Sequence, residues 1–395
     1  MPLAARTSHL RLRQGHSRVT FVELFFDLVF VFAVTQLSHG LLEHLTPLGA
    51  LQTAILMLAL WWAWIDNAWL TNWLDPERAP VRMLLFVLML LALVVSASIP
   101  KAFAERALPF ALAYAALEIL PKLFMLWALK RHDAGNHRNF LRITVWRALG
   151  AACWLAGGFA PDPARLALWG IALAIDTASP LFGFWVPGLG RSTTADWNVE
   201  GGHMAERCGL FVIIALGESI LITGQTFAGL AWSGATLAGF ANAFAGSVAM
   251  WVVYFNIGAE RSSRMVAAST DPGRLARSGY TYLHIPIVAG IIVTAVADEL
   301  TLHHPGGHTD LKTATVILGG PALYLAGNLL FKWLTAPWAP LSHTVGLGLL
   351  GLLIFAVPFV SPLGLSAATT AVLILVAVWE WVSLGLRAGR SPVGH

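Results

Sequence analysis

About a dozen apolar stretches, each roughly twenty residues long, follow one another from near residue 20 to near residue 387. Twenty helical residues rise about 30 Å, the thickness of a bilayer's hydrocarbon core. Only 12% of the residues are charged, about half of what a soluble chain of this size carries. Mean hydropathy is +0.69. The pattern predicts an all-α polytopic membrane protein with twelve spans: 20–44, 48–70, 80–100, 106–130, 139–158, 164–185, 203–226, 233–257, 278–299, 312–334, 342–360 and 364–387. The fifth and sixth are interrupted by Arg147, Asp176 and several glycines and prolines.

Residues 1–19 read as a basic tail with no cleavable signal, and 388–395 as a second tail. With the N-terminus inside, cytoplasmic segments hold 19 Lys and Arg against 4 outside, with Lys122 and Arg147 within spans, for the total of 25. That bias predicts both termini in the cytoplasm and an even number of spans. The net charge of +4 then reflects topology, and no basic cluster stands on a soluble domain to bind nucleic acid. Cys153 and Cys208 fall in apolar spans, with neither a disulfide framework nor zinc spacing. Most of the 17 tryptophans are expected in interfacial belts.

Offsetting the chain by about 183 residues lays span 7 over span 1, with Glu206 on Glu23 and Leu210 on Asp27. Trp251 through Asn256 then follows Trp62 through Asn67, and Arg277 follows Arg82. The ordered landmarks predict two parallel six-helix repeats, 20–190 and 191–387.

Ionisable groups inside apolar helices are costly and mark the bundle interior. Glu23 and Asp27 stand four apart on one face of span 1, and Asp27 is the only polar residue from Phe25 to Val34. Asp66 sits among the tryptophans of span 2, and Glu118 with Lys122 is spaced for an ion pair within one helix. Span 7 carries Glu206, Arg207 and Glu218; span 9 carries His284, before Pro286, and Asp298 on the same face. Glu23 and Glu206 can pair with Arg18, Arg207, Arg82 or Arg277 as readily as they contact a ligand. Asp27 and Glu218 lie deeper, and the sequence offers no obvious partner for either on its own helix. His284 suits either proton transfer or a hydrogen bond to a carbonyl freed near Pro286. The loop His303–His308 has metal-binding composition, but a solvated turn is the commoner outcome, and no metal or cofactor is assigned. No catalytic motif or phosphate loop is present.

Three segments carry a resemblance: Val19 through Ser38, His203 through Ser219, and His284 through Gly290. They resemble the bacterial low temperature requirement A (LtrA) family, polytopic membrane proteins named for a growth phenotype. The resemblance implies the architecture, leaves the reaction open, and points to Glu23, Asp27, His203, Glu206, Arg207, Gly217, Glu218 and His284. A looser likeness links Phe25-Phe26-Asp27 after Arg18 to the endosomal and lysosomal potassium channels built from two six-helix repeats. The arginine spacing differs, and the second half has no Phe-x-Asp.

The resulting expectation is transport or permeation of a small solute or ion, with proton coupling as one form of it. Asp27 and Glu218 would be central, Glu23, Glu206 and His284 assisting, with Arg18, Arg207, Asp66, Glu118, Lys122, His203 and Asp298 as ion pairs or support. The alternatives are a lipid-binding or lipid-modifying protein of cold adaptation, and a structural or signalling membrane protein. Membrane lipid is the expected partner, and the sequence leaves a homo-oligomer open.

Overall fold

The computed structural model describes residues 9–11, 18–130, 133–193, 199–256, 272–334 and 339–388. Arg6, Arg13, Arg131, Arg261, Arg264 and Arg390, which entered the charge count, lie outside them, as does most of each terminal tail. The described residues form helices and two isolated bridges, with no strand. In chain order the helices are α1 (Phe21–Glu43), α2 (Pro47–Trp73), α3 (Ala79–Ser98), α4 (Ala107–Leu129), α5 (Ala134–Phe159), α6 (Ala164–Ala178), α7 (Gly201–Gly229), α8 (Gly234–Phe255), α9 (His284–His303), α10 (Leu311–Leu334), α11 (Leu341–Leu353) and α12 (Pro362–Ala388). A short helix, Pro272–Ala276, and a π-helical turn, Arg277–Tyr282, precede α9.

Among the described residues, ten helical segments are long and apolar enough to cross a membrane. The two that are not are α5, which carries Arg138, Arg142 and Arg147, and α6, whose 15 residues span about 22 Å. The predicted sixth span reached residue 185, but α6 ends at Ala178. Pro180 brings no backbone N–H to continue the helical ladder, and the chain turns back through Gly183 and Phe184, both at positive φ. Arg142 of α5 secures this turn, donating from Nε to the Leu189 carbonyl at 2.9 Å.

Side-chain caps start several helices. Thr20 and Glu23 form a reciprocal capping box on α1, Thr46 caps α2 ahead of Pro47, and Ser233 boxes with Thr236 on α8.

The chain divides into two compact units, the first running to Arg207 and taking in the short helix Pro272–Ala276, the second beginning at Cys208 within α7 and resuming at Arg277. In the first unit α4 packs on α5, α5 on α6, and α1 on α2 and α3. Its interior corrects the expectation for the tryptophans. Trp61, Trp62, Trp64, Trp154 and Trp169 are buried core residues. Burial is possible because ring N–H groups find acceptors: Trp62 donates to Thr177, Trp169 to the Trp154 carbonyl and Trp154 to Asp176. Others, such as Trp232 and Trp381, are exposed.

In the second unit α9 and α10 approach backbone to backbone. A Cβ on Gly290 would lie 2.5 Å from the Tyr324 amide nitrogen, and one on Gly320 would lie 2.7 Å from that of Thr294. Small residues are what allow such an approach in lipid. The Lys332 ammonium of α10, counted as cytoplasmic from the sequence, is instead buried. It donates to both oxygens of Glu380 on α12, at 2.9 and 2.7 Å, and to the Val253 carbonyl.

Candidate functional site

Glu23 and Asp27 project from one face of α1 into the first unit, where the first turns of α7 meet them. His203 Nε2 lies 2.8 Å from Glu23 Oε1, and Arg207 Nη2 lies 2.9 Å from Asp27 Oδ1. Both pairs join residues 180 positions apart, so two carboxylates four apart face two basic residues four apart. That register requires the two helices to run in the same direction at this point. All four side chains are essentially inaccessible.

The outer rung has a defined proton arrangement. Glu200 accepts the amides of Gly202 and His203 at the start of α7, and its own backbone grips the Asn72 side chain. The Glu200 amide donates to Asn72 Oδ1, and Asn72 Nδ2 donates to the Glu200 carbonyl. This fixes the Asn72 amide, so the Nδ2 that faces His203 Nδ1 at 3.3 Å is a donor. His203 Nδ1 therefore accepts, and Nε2–H donates to Glu23. The other Glu23 oxygen accepts from the amide and hydroxyl of Thr20 and from Arg11 Nη2 at 3.4 Å. Glu23 thus caps its own helix and anchors the histidine. Arg18, one of four arginines considered as partners for Glu23 or Glu206, is exposed, and Arg11 pairs with Glu23.

The inner rung is less saturated. Asp27 Oδ1 accepts from Arg207 and from Trp64 Nε1 at 2.9 Å, and the Trp64 ring lies 5.6 Å from the guanidinium carbon. Asn67 Oδ1 is 3.5 Å from Arg207 Nη2. Asp27 Oδ2, Asn67 Nδ2, and Arg207 Nε and Nη1 are buried without a hydrogen-bond partner among the described residues. An acceptor and three donor groups are therefore held together with hydrogen-bonding capacity to spare, and in an apolar interior such capacity is costly unless used.

Glu206, the repeat counterpart of Glu23, does not join the ladder; its Oε2 accepts the Val19 amide and ties the N-terminal segment to α7. Asp66, Glu118 and Lys122 belong to another network of the first unit. The anticipated Glu118–Lys122 pair is not the contact made: Lys122 reaches Asp66 at 2.8 Å, and Arg147 takes Glu118. Glu218, His284 and Asp298 are buried in the second unit. His284 Nδ1 meets the Gly279 carbonyl in the π turn, and Nε2 meets the Tyr254 hydroxyl at 2.8 Å. A carbonyl contact was expected, though nearer Pro286. In the His303–His308 loop all three histidines are exposed, and no metal-binding group of three ligands occurs among the described residues.

Sequence reasoning passed over Asn72, Arg11, Glu380 and His343. Glu380 is one of few acidic residues inside an apolar stretch, which was a usable signal. Asn72 and Arg11 carry none, because their roles exist only across helices.

The sequence model of the bacterial low temperature requirement A protein (LtrA) matches residues 18–378, a range that includes both rungs. A protein of Rhizobium meliloti (strain 1021), described as uncharacterized, is 40% identical over 369 residues, covering 93% of this chain and 90% of its own. No solved structure matches the chain. By the extent of both matches, this helical membrane protein belongs to the bacterial LtrA family.

Proposed function

We propose that the protein moves a small polar solute or ion across the bacterial inner membrane, with Asp27 and Arg207 as its binding pair. The observation that carries this reading is the inner rung: a buried acid and base, bound to each other, that still offer an acceptor oxygen and donor nitrogens beside Asn67. A purely architectural ion pair is expected to have its lone pairs and protons satisfied. A ligand with both donor and acceptor groups would complete this one. The reading includes both termini in the cytoplasm and a repeat whose first helices, α1 and α7, run the same way; the parallel course of α1 and the start of α7 supports the repeat. The outer rung then serves as a support that fixes α1 to the start of α7.

The test is a flux screen on the purified full-length protein in liposomes, across cations, anions and pH gradients. Asp27→Asn and Arg207→Gln are expected to lose the flux that wild type shows. Equal flux through wild type and both variants overturns the assignment.

A second reading, lipid binding, is favoured by one observation. A groove of about 330 Å³ on the first unit is lined by Trp146, Phe182, Trp185 and Arg191. Aromatic rings beside an arginine suit an anionic lipid headgroup at the membrane interface. Loss of co-purifying anionic lipid in Arg191→Ala, with flux unaffected, would favour it.

A further inference from the structure

Arg147 gathers a cluster that the solute site does not use, and its charges do not balance. Each guanidinium nitrogen faces a different carboxylate: Nη2 lies 3.1 Å from Asp66 on α2, Nη1 lies 2.9 Å from Asp176 on α6, and Nε lies 3.3 Å from Glu118 on α4. The Trp62 ring lies 5.2 Å from the guanidinium carbon. Lys122 of α4 pairs with the second oxygen of Asp66, and Trp154 of α5 donates to the second oxygen of Asp176. The buried face of α3, which packs on α4, holds no ionisable side chain. Three carboxylates therefore meet two cations, with Arg147, Glu118 and Asp176 each 1% exposed.

An excess negative charge in such surroundings is relieved by taking up a proton. The three acids are not equivalent. Asp66 has a cation on each oxygen, and Asp176 has a cation on one and an indole N–H on the other. Glu118 has the Arg147 contact alone, and neither of its oxygens makes a hydrogen bond among the described residues. One turn before it on the same face of α4, the Tyr114 hydroxyl is fully buried and also lacks a hydrogen-bond partner among them. Hard metal cations need about six oxygen ligands, and Asp66 and Asp176 are already committed. A proton needs one.

We propose that this cluster is a proton-binding site in which Glu118 is the carrier. Protonation turns Glu118 into the neutral acid and leaves two carboxylates balanced by two cations. The site stands on charge and geometry within the first unit, whether or not solute crosses at Asp27.

Infrared spectroscopy on the purified full-length protein in liposomes tests it, stepping pH from mildly acid to alkaline. Wild type is expected to show a protonated-carboxyl carbonyl stretch at neutral pH that Glu118→Gln lacks. Lys122→Gln removes a cation, favours the neutral acid, and is expected to move the loss of that band upward by about one pH unit. Superimposable wild-type and Glu118→Gln spectra overturn the proposal. If Glu118→Gln does not fold, Lys122→Gln decides, and a null or downward shift overturns it. Flux through Asp27→Asn is a separate readout, so failure of the solute site leaves this result interpretable.

Discussion

The two units hold apolar helices together by different means. The first brings acids and bases from several helices into shared networks: the ladder of Glu23, His203, Asp27 and Arg207, and the cluster around Arg147. The second relies on glycines that let α9 and α10 touch at the backbone, plus a Lys332–Glu380 pair between α10 and α12, flanked by His343. Lipid supplies no hydrophobic drive between helices, so close packing and interhelical polar contacts must do the joining. Glycine contact needs no charge and leaves nothing to titrate. A charge network joins helices equally well and leaves groups that can bind a proton or a polar solute. The difference makes the first unit the richer place to look for activity.

Breaking a network should differ from breaking a pair. Arg147→Met leaves three carboxylates without their shared cation and is expected to cost about 3–5 kcal/mol, read as a large drop in melting temperature in detergent. No single change of Asp66, Glu118 or Asp176 should restore it. Lys332→Met is expected to cost a similar amount, yet adding Glu380→Leu should recover most of the loss, because a buried pair can be replaced by apolar side chains. Rescue of Arg147→Met by one partner substitution would erase the distinction.

Gly290→Val drives side-chain atoms against the backbone of α10 and is expected to cost about 1–3 kcal/mol, by the same melting measurement. An unchanged melting temperature would mean that backbone contact is not what joins these helices. Trp64→Phe keeps an aromatic ring but removes the hydrogen bond to Asp27, with an expected cost of about 1.5 kcal/mol. At the small end, Lys101→Ala removes an exposed partner of Glu105 and should leave the melting temperature where it was.

Much of this was legible before the structure. Length and apolarity marked the helices, and the spacing of Glu23 and Asp27 put them on one face. Partner choice was not legible. Glu118 and Lys122 are correctly spaced neighbours, yet each turns to another helix, because the interior offers Arg147 and Asp66 there. The tryptophans misled for a related reason: an indole suits an interface or a core equally, and only a nearby acceptor decides. Asp27 had no partner on its own helix, but Arg207 and Trp64 arrive from two others.

By itself, then, the sequence determined that the chain is helical, that it lies in a membrane, which residues are too polar for lipid, and to which family it belongs. Those properties are local sums over neighbouring residues. Only the tertiary structure decided that Glu23 holds His203, that Asp27 and Arg207 retain unused hydrogen-bonding atoms, and that three acids surround Arg147. A charge finds its partner across space, and for the ladder that partner lies 180 residues away along the chain.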